Sequence, residues 1–193
     1  MSSDSVPAEP SMGPPRMVFE PQSHRSTFTV TGVAPLPDAV VEVDLGYKNL
    51  TDLYLGSDPP RPEELSAGLS VVELHLDDVV RELNADRSPD DGRSAFEMTV
   101  RDGTIVGIGP IVCTLAALEL GDDSVDLNGF ELTREAVEDA FRAIATESIA
   151  DRGHNPGLAP EWVELIVGGA CLVVEAFRCW DLVSMVVSTE VSA

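Results

Sequence analysis

Basic residues are scarce in this sequence. Its 193 residues include 12 Lys and Arg against 34 Asp and Glu, which gives a net charge of −22 and a pI near 4.2. A chain of this charge repels DNA, RNA and anionic membrane surfaces. The same charge repels a free polyanionic ligand unless local cations or backbone N–H groups attract that ligand. We therefore expect no nucleic-acid partner and no membrane partner.

Long hydrophobic runs are also absent. No apolar segment approaches the ~20 residues that a membrane-spanning helix requires, and residues 1–16 lack the basic start and apolar centre of a signal peptide. Cysteine is rare, and Cys113, Cys171 and Cys179 lie in apolar stretches without metal-ligand spacing. We expect a cytoplasmic protein with reduced core thiols, no disulfide framework and no metal ligands of its own.

The apolar content, 44% of the chain, is sufficient for one domain with a core. Residues 1–16 hold four prolines and almost no bulky apolar side chain, a composition typical of a disordered tail. The sequence therefore predicts a tail over 1–16 and a folded domain over 17–193.

Hydrophobic patterning in the domain predicts an α/β fold. Three short β-favouring runs, a long amphipathic helix starting at Pro62, a buried strand at 104–109 and a helix capped by Thr133 follow one another. A helix from about Cys171 and a last strand over 183–187 complete the pattern. This order favours a mixed sheet with flanking helices.

Two glycine-rich turns could bring backbone N–H groups close to an anion. Gly107-Ile108-Gly109 and Gly168-Gly169-Ala170 each precede a predicted helix, where N–H groups face outwards. Tight turns and close helix packing also select glycine, so both explanations stay open. His75 and His154 are isolated, and on an acidic surface such histidines are typical solvated partners of carboxylates.

Eight short segments of the sequence form a recognisable series. They are Glu42-Val43-Asp44-Leu45-Gly46, Ser57-Asp58-Pro59-Pro60-Arg61-Pro62, Val106-Gly107-Ile108-Gly109, Thr114-Leu115-Ala116-Ala117-Leu118-Glu119, Leu132-Thr133-Arg134-Glu135, Asn155-Pro156-Gly157, Leu165-Ile166-Val167-Gly168-Gly169-Ala170 and Met185-Val186-Val187-Ser188. In this order, over about residues 17 to 188, the chain resembles the exopolyphosphatase/guanosine pentaphosphate phosphohydrolase family, the Ppx/GppA phosphatases.

The resemblance implies a single ribonuclease-H-like lobe of the kind found in actin and sugar kinases. Family members have two such lobes and remove terminal phosphate from polyphosphate or guanosine pentaphosphate in the cleft between them, using a divalent metal. This chain is similar to the second lobe only. The resemblance thus implies Mg²⁺ as a cofactor only if the chain is active.

The family's phosphate-binding hairpin is altered here. The stretch Glu20-Pro21-Gln22-Ser23-His24-Arg25-Ser26-Thr27 stands where the family has Asp-Ile-Gly-Gly-Gly-Ser-Thr-Glu, and Pro110-Ile111 replaces a Gly-Thr pair. By resemblance, Glu20 is the candidate catalytic acid. The candidate phosphate-binding residues are Arg25, Ser26, Thr27, Gly107, Gly109, Gly168 and Gly169.

Three hypotheses for function follow. The first is a degenerate, non-catalytic domain that associates with another copy of itself or with a phosphatase of the same family. The second is an exopolyphosphatase or guanosine pentaphosphate hydrolase whose site is completed in trans. The third is a sensor that holds a nucleotide or phosphate without turnover. Phosphoryl transfer depends on positioned charge and N–H donors, and the altered loops favour the first.

Overall fold

The computed structural model describes residues 14–190. Most of the predicted tail, residues 1–13, lies outside the described residues. The first strand begins at Arg16, and just before it the carbonyl of Pro15 accepts a hydrogen bond from the N–H of Thr104 at 2.9 Å. The division into a tail over 1–16 and a domain over 17–193 stays a prediction.

Within residues 14–190, six strands form one mixed sheet. They are β1 (Arg16–Pro21), β2 (Ser26–Thr31), β3 (Ala39–Val43), β4 (Thr104–Ile108), β5 (Glu131–Thr133) and β6 (Ser184–Ser188). The order across the sheet is β3-β2-β1-β4-β6-β5. Strands β1, β4 and β6 are parallel neighbours, and the other pairs are antiparallel. The predicted α/β class with a mixed sheet is confirmed.

In the part of the chain that the structure describes, seven α-helices connect and cover these strands. They are α1 (Tyr47–Tyr54), α2 (Pro62–Leu83), α3 (Ala95–Asp102), α4 (Pro110–Leu120), α5 (Arg134–Thr146), α6 (Ile149–Arg152) and α7 (Ile166–Cys179), with a 3₁₀ turn at Pro160–Trp162. Within residues 14–190 no helix is long and apolar enough to cross a membrane.

The predicted helix starts at Pro62 and Thr133 are confirmed. Pro62 is the first residue of α2, and the Glu64 carboxylate accepts a hydrogen bond from the backbone N–H of Arg61 at 2.8 Å. This hydrogen bond is the main cause that lowers the pKa of Glu64. At α5, Thr133 Oγ1 accepts from the N–H of Ala136 at 3.2 Å, which satisfies one of the free donors at the helix start.

Helix α7 was expected to begin near Cys171, but it begins at Ile166. Every residue from Ile166 to Phe177 is buried, because α7 packs against α1, α2 and α5. A helix that is apolar on all sides has no 3.6-residue periodicity, and its first turn therefore resembles a buried strand in sequence. Helix α3 and strand β5 were not predicted, since both are short.

The two faces of the sheet differ. The main core contains the buried side chains of the helices together with one set of alternating strand residues, including Met17, Phe19 and Phe28. The Phe19 and Phe28 rings stack with centroids 4.8 Å apart. A separate small cluster of Val18, Val106 and Ile108 lies on the opposite face, and in the described part of the chain it consists of strand residues only.

Candidate functional site

Three of the residues singled out from the sequence, Glu20, Gly107 and Gly109, fall at the carboxyl ends of β1 and β4. These strands are parallel neighbours, with Phe19 opposite Gly107, so the segments that follow them lie side by side. A Cβ atom on Gly109 would lie 3.8 Å from Cγ of Glu20. Gly109 has a φ of +90°, a conformation that favours glycine. The structure therefore brings the candidate acid Glu20 and the Gly109 turn together.

The turn between β1 and β2 is docked on the start of α1. The carbonyls of Gln22 and Ser23 accept hydrogen bonds from the N–H groups of Tyr47 and Lys48 at 3.0 and 2.9 Å. These N–H groups belong to the first turn of a helix, where an anion would otherwise bind. The turn itself therefore fills the anion-binding end of α1.

Gly46 and Asn49 hold this arrangement in place. A Cβ on Gly46 would lie 2.3 Å from the Gln22 carbonyl oxygen, so only glycine permits the contact. Asn49 Oδ1 accepts from the N–H of Gly46 at 2.7 Å, and its Nδ2 donates to the carbonyl of His24 at 3.2 Å. The Asn49 side chain therefore links the start of α1, through Gly46, to the β1–β2 turn, through His24.

The three candidate phosphate ligands of the hairpin already have protein partners or acidic neighbours. Ser26 is buried, and its hydroxyl donates to the carbonyl of Leu45 at 2.7 Å. Arg25 forms an ion pair with Glu42 at 3.3 Å. Thr27 pairs across the sheet with Glu20 on one side and Glu42 on the other. To bind a phosphate, Ser26 would have to give up its hydrogen bond. Arg25 and Thr27 would bind it beside a carboxylate that repels it.

The start of α4 lacks one backbone donor, because its first residue, Pro110, has no N–H. The Ile111 side chain that follows is fully buried and offers no polar group. Gly107 lies in β4, where a Cβ would come within 2.4 Å of Met185 Sδ. Its lack of a side chain therefore serves packing against β6.

Gly168 and Gly169 are the third and fourth residues of α7 and lie in its first turn. A Cβ on Gly168 would lie 2.6 Å from the carbonyl oxygen of Tyr47, and one on Gly169 would lie 2.6 Å from Cδ1 of Ile111. Both glycines are buried. They allow α7 to approach α1 and α4 closely, and the phosphate-binding role inferred from the resemblance stays a prediction.

No protein-family model and no curated protein matches the chain. Several solved structures match the chain. The Aquifex aeolicus Ppx/GppA phosphatase, in a crystal structure of its type II variant, is 21% identical with a TM-score of 0.71 over 91% of this chain and 53% of that protein. An exopolyphosphatase-like protein is 18% identical with a TM-score of 0.76 over 98% of this chain and 58% of its own. The chain has the fold of a Ppx/GppA phosphatase lobe.

A third similar structure agrees with this assignment. An exopolyphosphatase from Cytophaga hutchinsonii is 15% identical with a TM-score of 0.66, over 96% of this chain and 55% of that protein. The chain thus spans about half the length of the Ppx/GppA structures that it matches. The likeness predicted from short sequence motifs is confirmed at the level of the fold.

Cations available to a polyanion are few on this Ppx/GppA-like lobe. Ten of the twelve Lys and Arg form ion pairs with Asp or Glu; they are Arg25, Lys48, Arg61, Arg81, Arg87, Arg93, Arg134, Arg142, Arg152 and Arg178. Over residues 14–190 no group of three His, Cys, Asp or Glu is placed to hold a metal ion. His75 lies on α2 with Nδ1 2.8 Å from the carbonyl oxygen of Val71.

The prediction that all three cysteines are core thiols is wrong for Cys179. Cys171 is buried and Cys113 is half-buried, whereas Cys179 is exposed at the end of α7. All three thiols are free. The hydrophobic stretch around Cys179 misled the prediction because the last turn of α7 reaches the surface.

Alkylation should detect the environment of Cys179. Partial burial and the nearby Glu175 and Glu73 carboxylates raise the pKa of this thiol to about 12. At pH 8 the thiolate fraction of Cys179 is then about three decades lower than that of an ordinary thiol. A thiolate of higher pKa is a stronger nucleophile, which offsets part of this loss in reaction rate. We therefore expect iodoacetamide to react with Cys179 roughly 30-fold more slowly than with free cysteine. Glu175→Gln removes one negative charge, lowers the pKa and should accelerate the reaction. Equal rates for Cys179 and free cysteine would contradict this.

Proposed function

We propose that this chain is a non-catalytic member of the Ppx/GppA phosphatases that acts by associating with another protein. The observation that supports this most is the docked β1–β2 turn. Its carbonyls occupy the N–H groups of Tyr47 and Lys48, which a phosphate would need. Phosphoryl transfer depends on such donors and on positive charge, and here the donors are engaged and ten cations are paired.

The charge of the chain supports the same proposal. Polyphosphate is a polyanion, and the net charge of −22 repels it. Near the candidate site, the Arg25 guanidinium faces Glu42, and the Lys48 ammonium lies 2.7 Å from Asp52. A terminal phosphate at Gly109 would therefore meet Glu20 without a compensating cation from these two residues.

The test is phosphate release from polyphosphate, guanosine pentaphosphate and ATP, with and without Mg²⁺. We expect the wild-type chain and Glu20→Gln to release phosphate at the same background rate. A Mg²⁺-dependent release at least tenfold above that of Glu20→Gln would overturn the proposal. Thermal unfolding of both proteins in the same buffer ensures that folded chains are compared.

A second candidate function is phosphoanhydride hydrolysis with the site completed in trans. The half-buried Glu20 beside the Gly109 turn favours it, as does the fact that the chain spans about half the length of the matched phosphatases. The three matched solved structures are named as a Ppx/GppA phosphatase, an exopolyphosphatase-like protein and an exopolyphosphatase, which makes polyphosphate the first substrate to test. Release that requires both this chain and a second Ppx/GppA phosphatase, and that Glu20→Gln abolishes, would identify this function.

A further inference from the structure

Strand β3 (Ala39–Val43) forms one edge of the sheet. It pairs with β2 over five consecutive residues without a bulge. Val40 and Glu42 are exposed, Val40 to 62%. Natural edge strands are usually shielded by proline, lysine, a bulge or a covering segment. Within Ala39–Val43 there is no proline, lysine or bulge, so this edge is open to a further strand.

The hydrogen-bond pattern shows which backbone groups of β3 are free. In an antiparallel pair every second residue bonds to the neighbouring strand, and the residues between direct their N–H and C=O groups to the other side. The bond from the Gln22 N–H to the Arg25 carbonyl, at 2.9 Å, sets this alternation in β1 and β2. Carried through the register to β3, it leaves the N–H and C=O groups of Val40 and Glu42 directed away from the sheet. Within residues 14–190 no other backbone segment bonds to these groups.

The side of this edge that faces away from the helices is acidic. Exposed carboxylates stand at alternate positions around Val40; they are Asp38, Glu42 and Asp44. Arg25 offsets one of these charges through its ion pair with Glu42 at 3.3 Å. A strand that lies beside Val40 and Glu42 therefore meets a surplus of negative charge, which favours basic residues on this side of the added strand.

The side of the edge that faces the helices is apolar. Ala39 and Val43 are half-buried and pack against the main core, with the buried Val41 between them. Helix α2 packs on β3 from this side. Apolar side chains of an added strand would cover the parts of Ala39 and Val43 that are still exposed. The edge thus fits a segment in which basic and apolar residues alternate.

A second copy of this chain does not fit the same edge. Pairing of two β3 edges would bring the carboxylates of the two 38–44 segments together, and like charges on neighbouring strands are destabilising. Charged side chains are a common means by which natural edge strands avoid pairing with themselves. The occupant that the edge favours is therefore a different, basic protein.

We propose that the free edge of β3 binds an antiparallel strand of a partner protein, in which basic and apolar residues alternate. The inference rests on the proposed function, since it gives the associating protein a binding mode and a chemistry. Basic residues of the partner lie opposite Val40 and Glu42, and their N–H and C=O groups bond to those of β3. In such strand addition, backbone hydrogen bonds supply affinity and alternate side chains supply specificity.

A fluorescent peptide with four lysines alternating with three valines is the probe. Its binding to the full chain is followed by fluorescence anisotropy at 0.15 M salt, where charges are screened beyond about 8 Å. Two N-methylated versions keep the charge of the peptide. Methyl groups on the backbone nitrogens of its central lysines block the bonds to β3 and should weaken binding roughly tenfold or more. Methyl groups on the valine nitrogens point away from β3 and should change binding by less than about threefold.

Variants of β3 test the same pairing from the other side. Val40→Pro removes one free N–H, which an edge strand tolerates, and should weaken binding of the unmodified peptide roughly tenfold. Val40→Ala keeps that N–H and should stay within about threefold of wild type. Thermal unfolding of both variants ensures that folded chains are compared.

A second pair of variants separates local charge from net charge. Glu42→Gln removes a carboxylate beside the paired strand and should weaken binding roughly threefold. Glu119→Gln changes the net charge equally, but it lies on α4, which packs against α5, α7, β4 and β6, and should leave binding unchanged. Equal effects of the two substitutions would show attraction to the whole acidic chain and would contradict pairing at β3.

A wild-type chain that shows no saturable binding of the unmodified peptide up to about 1 mM would overturn the inference. Equal binding of the two methylated peptides would overturn it as well. The phosphate-release assay decides catalysis separately. A chain that hydrolyses polyphosphate and binds the peptide at β3 would refute the proposed function and keep this inference, and an inactive chain that does not bind the peptide would do the reverse.

Discussion

Gly46→Ala is expected to lower the free energy of unfolding by about 3 kcal/mol. The new Cβ would lie 2.3 Å from the Gln22 carbonyl oxygen and 2.5 Å from the backbone nitrogen of His24. Backbone atoms cannot rotate away as a side chain can, so the β1–β2 turn must move off α1. That movement breaks the hydrogen bonds to the N–H groups of Tyr47 and Lys48, each of which contributes about 1 kcal/mol, and adds the cost of steric strain.

Urea unfolding of Gly46→Ala measures this loss, and Gly56→Ala is the matched control. A Cβ on Gly56 would meet Oε1 of Glu64 at 3.5 Å, an ordinary contact with a side chain. We expect the control to differ from wild type by less than about 1 kcal/mol. Equal losses in both variants would show that the docked turn has no special role in stability.

Asp58→Ala should destabilise the fold by a similar amount, about 3 kcal/mol. Arg152 is only 2% exposed, and Asp58 Oδ1 lies 3.6 Å from its Nη2 while also accepting the N–H of Ile149 at 2.8 Å. Burial lowers the pKa of Arg152, and the Asp58 charge opposes that shift. Without Asp58 the guanidinium keeps its hydrogen bond to the Ile144 carbonyl at 3.1 Å and the attraction of the Glu147 carboxylate, but it loses the charge of Asp58. Removing one partner of a buried pair costs about 3–5 kcal/mol, and the partial exposure of Asp58 places this case at the lower end.

Chemical unfolding at pH 7 tests this value with two companion variants. Adding Arg152→Met to Asp58→Ala should recover at least half of the lost stability, because the buried charge is then gone. Asp52→Ala removes an exposed partner of Lys48 and should change stability by less than about 0.5 kcal/mol. A single Asp58→Ala variant as stable as Asp52→Ala would refute the argument.

Periodicity and turn residues in the sequence were enough to predict five of the six strands found in residues 14–190 and most of the helices there. The apolar stripe of α2 predicts its buried residues Val72, Leu76, Val79 and Leu83, because that helix has one solvent face. Helix α7 offers no such contrast, so its start was misplaced by about five residues. The sequence also cannot reveal that the β1–β2 turn docks on α1, since that contact joins residues more than 20 positions apart through backbone atoms.

The candidate site was predicted in part. The proximity of Glu20 and Gly109 follows from parallel strands that end at the same edge of the sheet, and the motif resemblance pointed to both. Two contacts at the site could not be predicted. Ser26 donates a hydrogen bond to the Leu45 carbonyl, and Arg25 pairs with Glu42. Both contacts depend on side-chain geometry that composition does not encode. For Gly168, a Gly-Gly pair has the same sequence signature whether it admits a ligand or a neighbouring helix.

The central position of α7 also bears on how the chain folds during synthesis. Helices α1 and α2 pack against α7, yet more than 80 residues separate the end of α2 from the start of α7. While the ribosome makes those residues, the apolar sides of α1 and α2 lack this packing partner. The nascent chain is therefore expected to stay incompletely folded until the last quarter of the sequence has been translated, a period in which chaperones find exposed hydrophobic surface to bind.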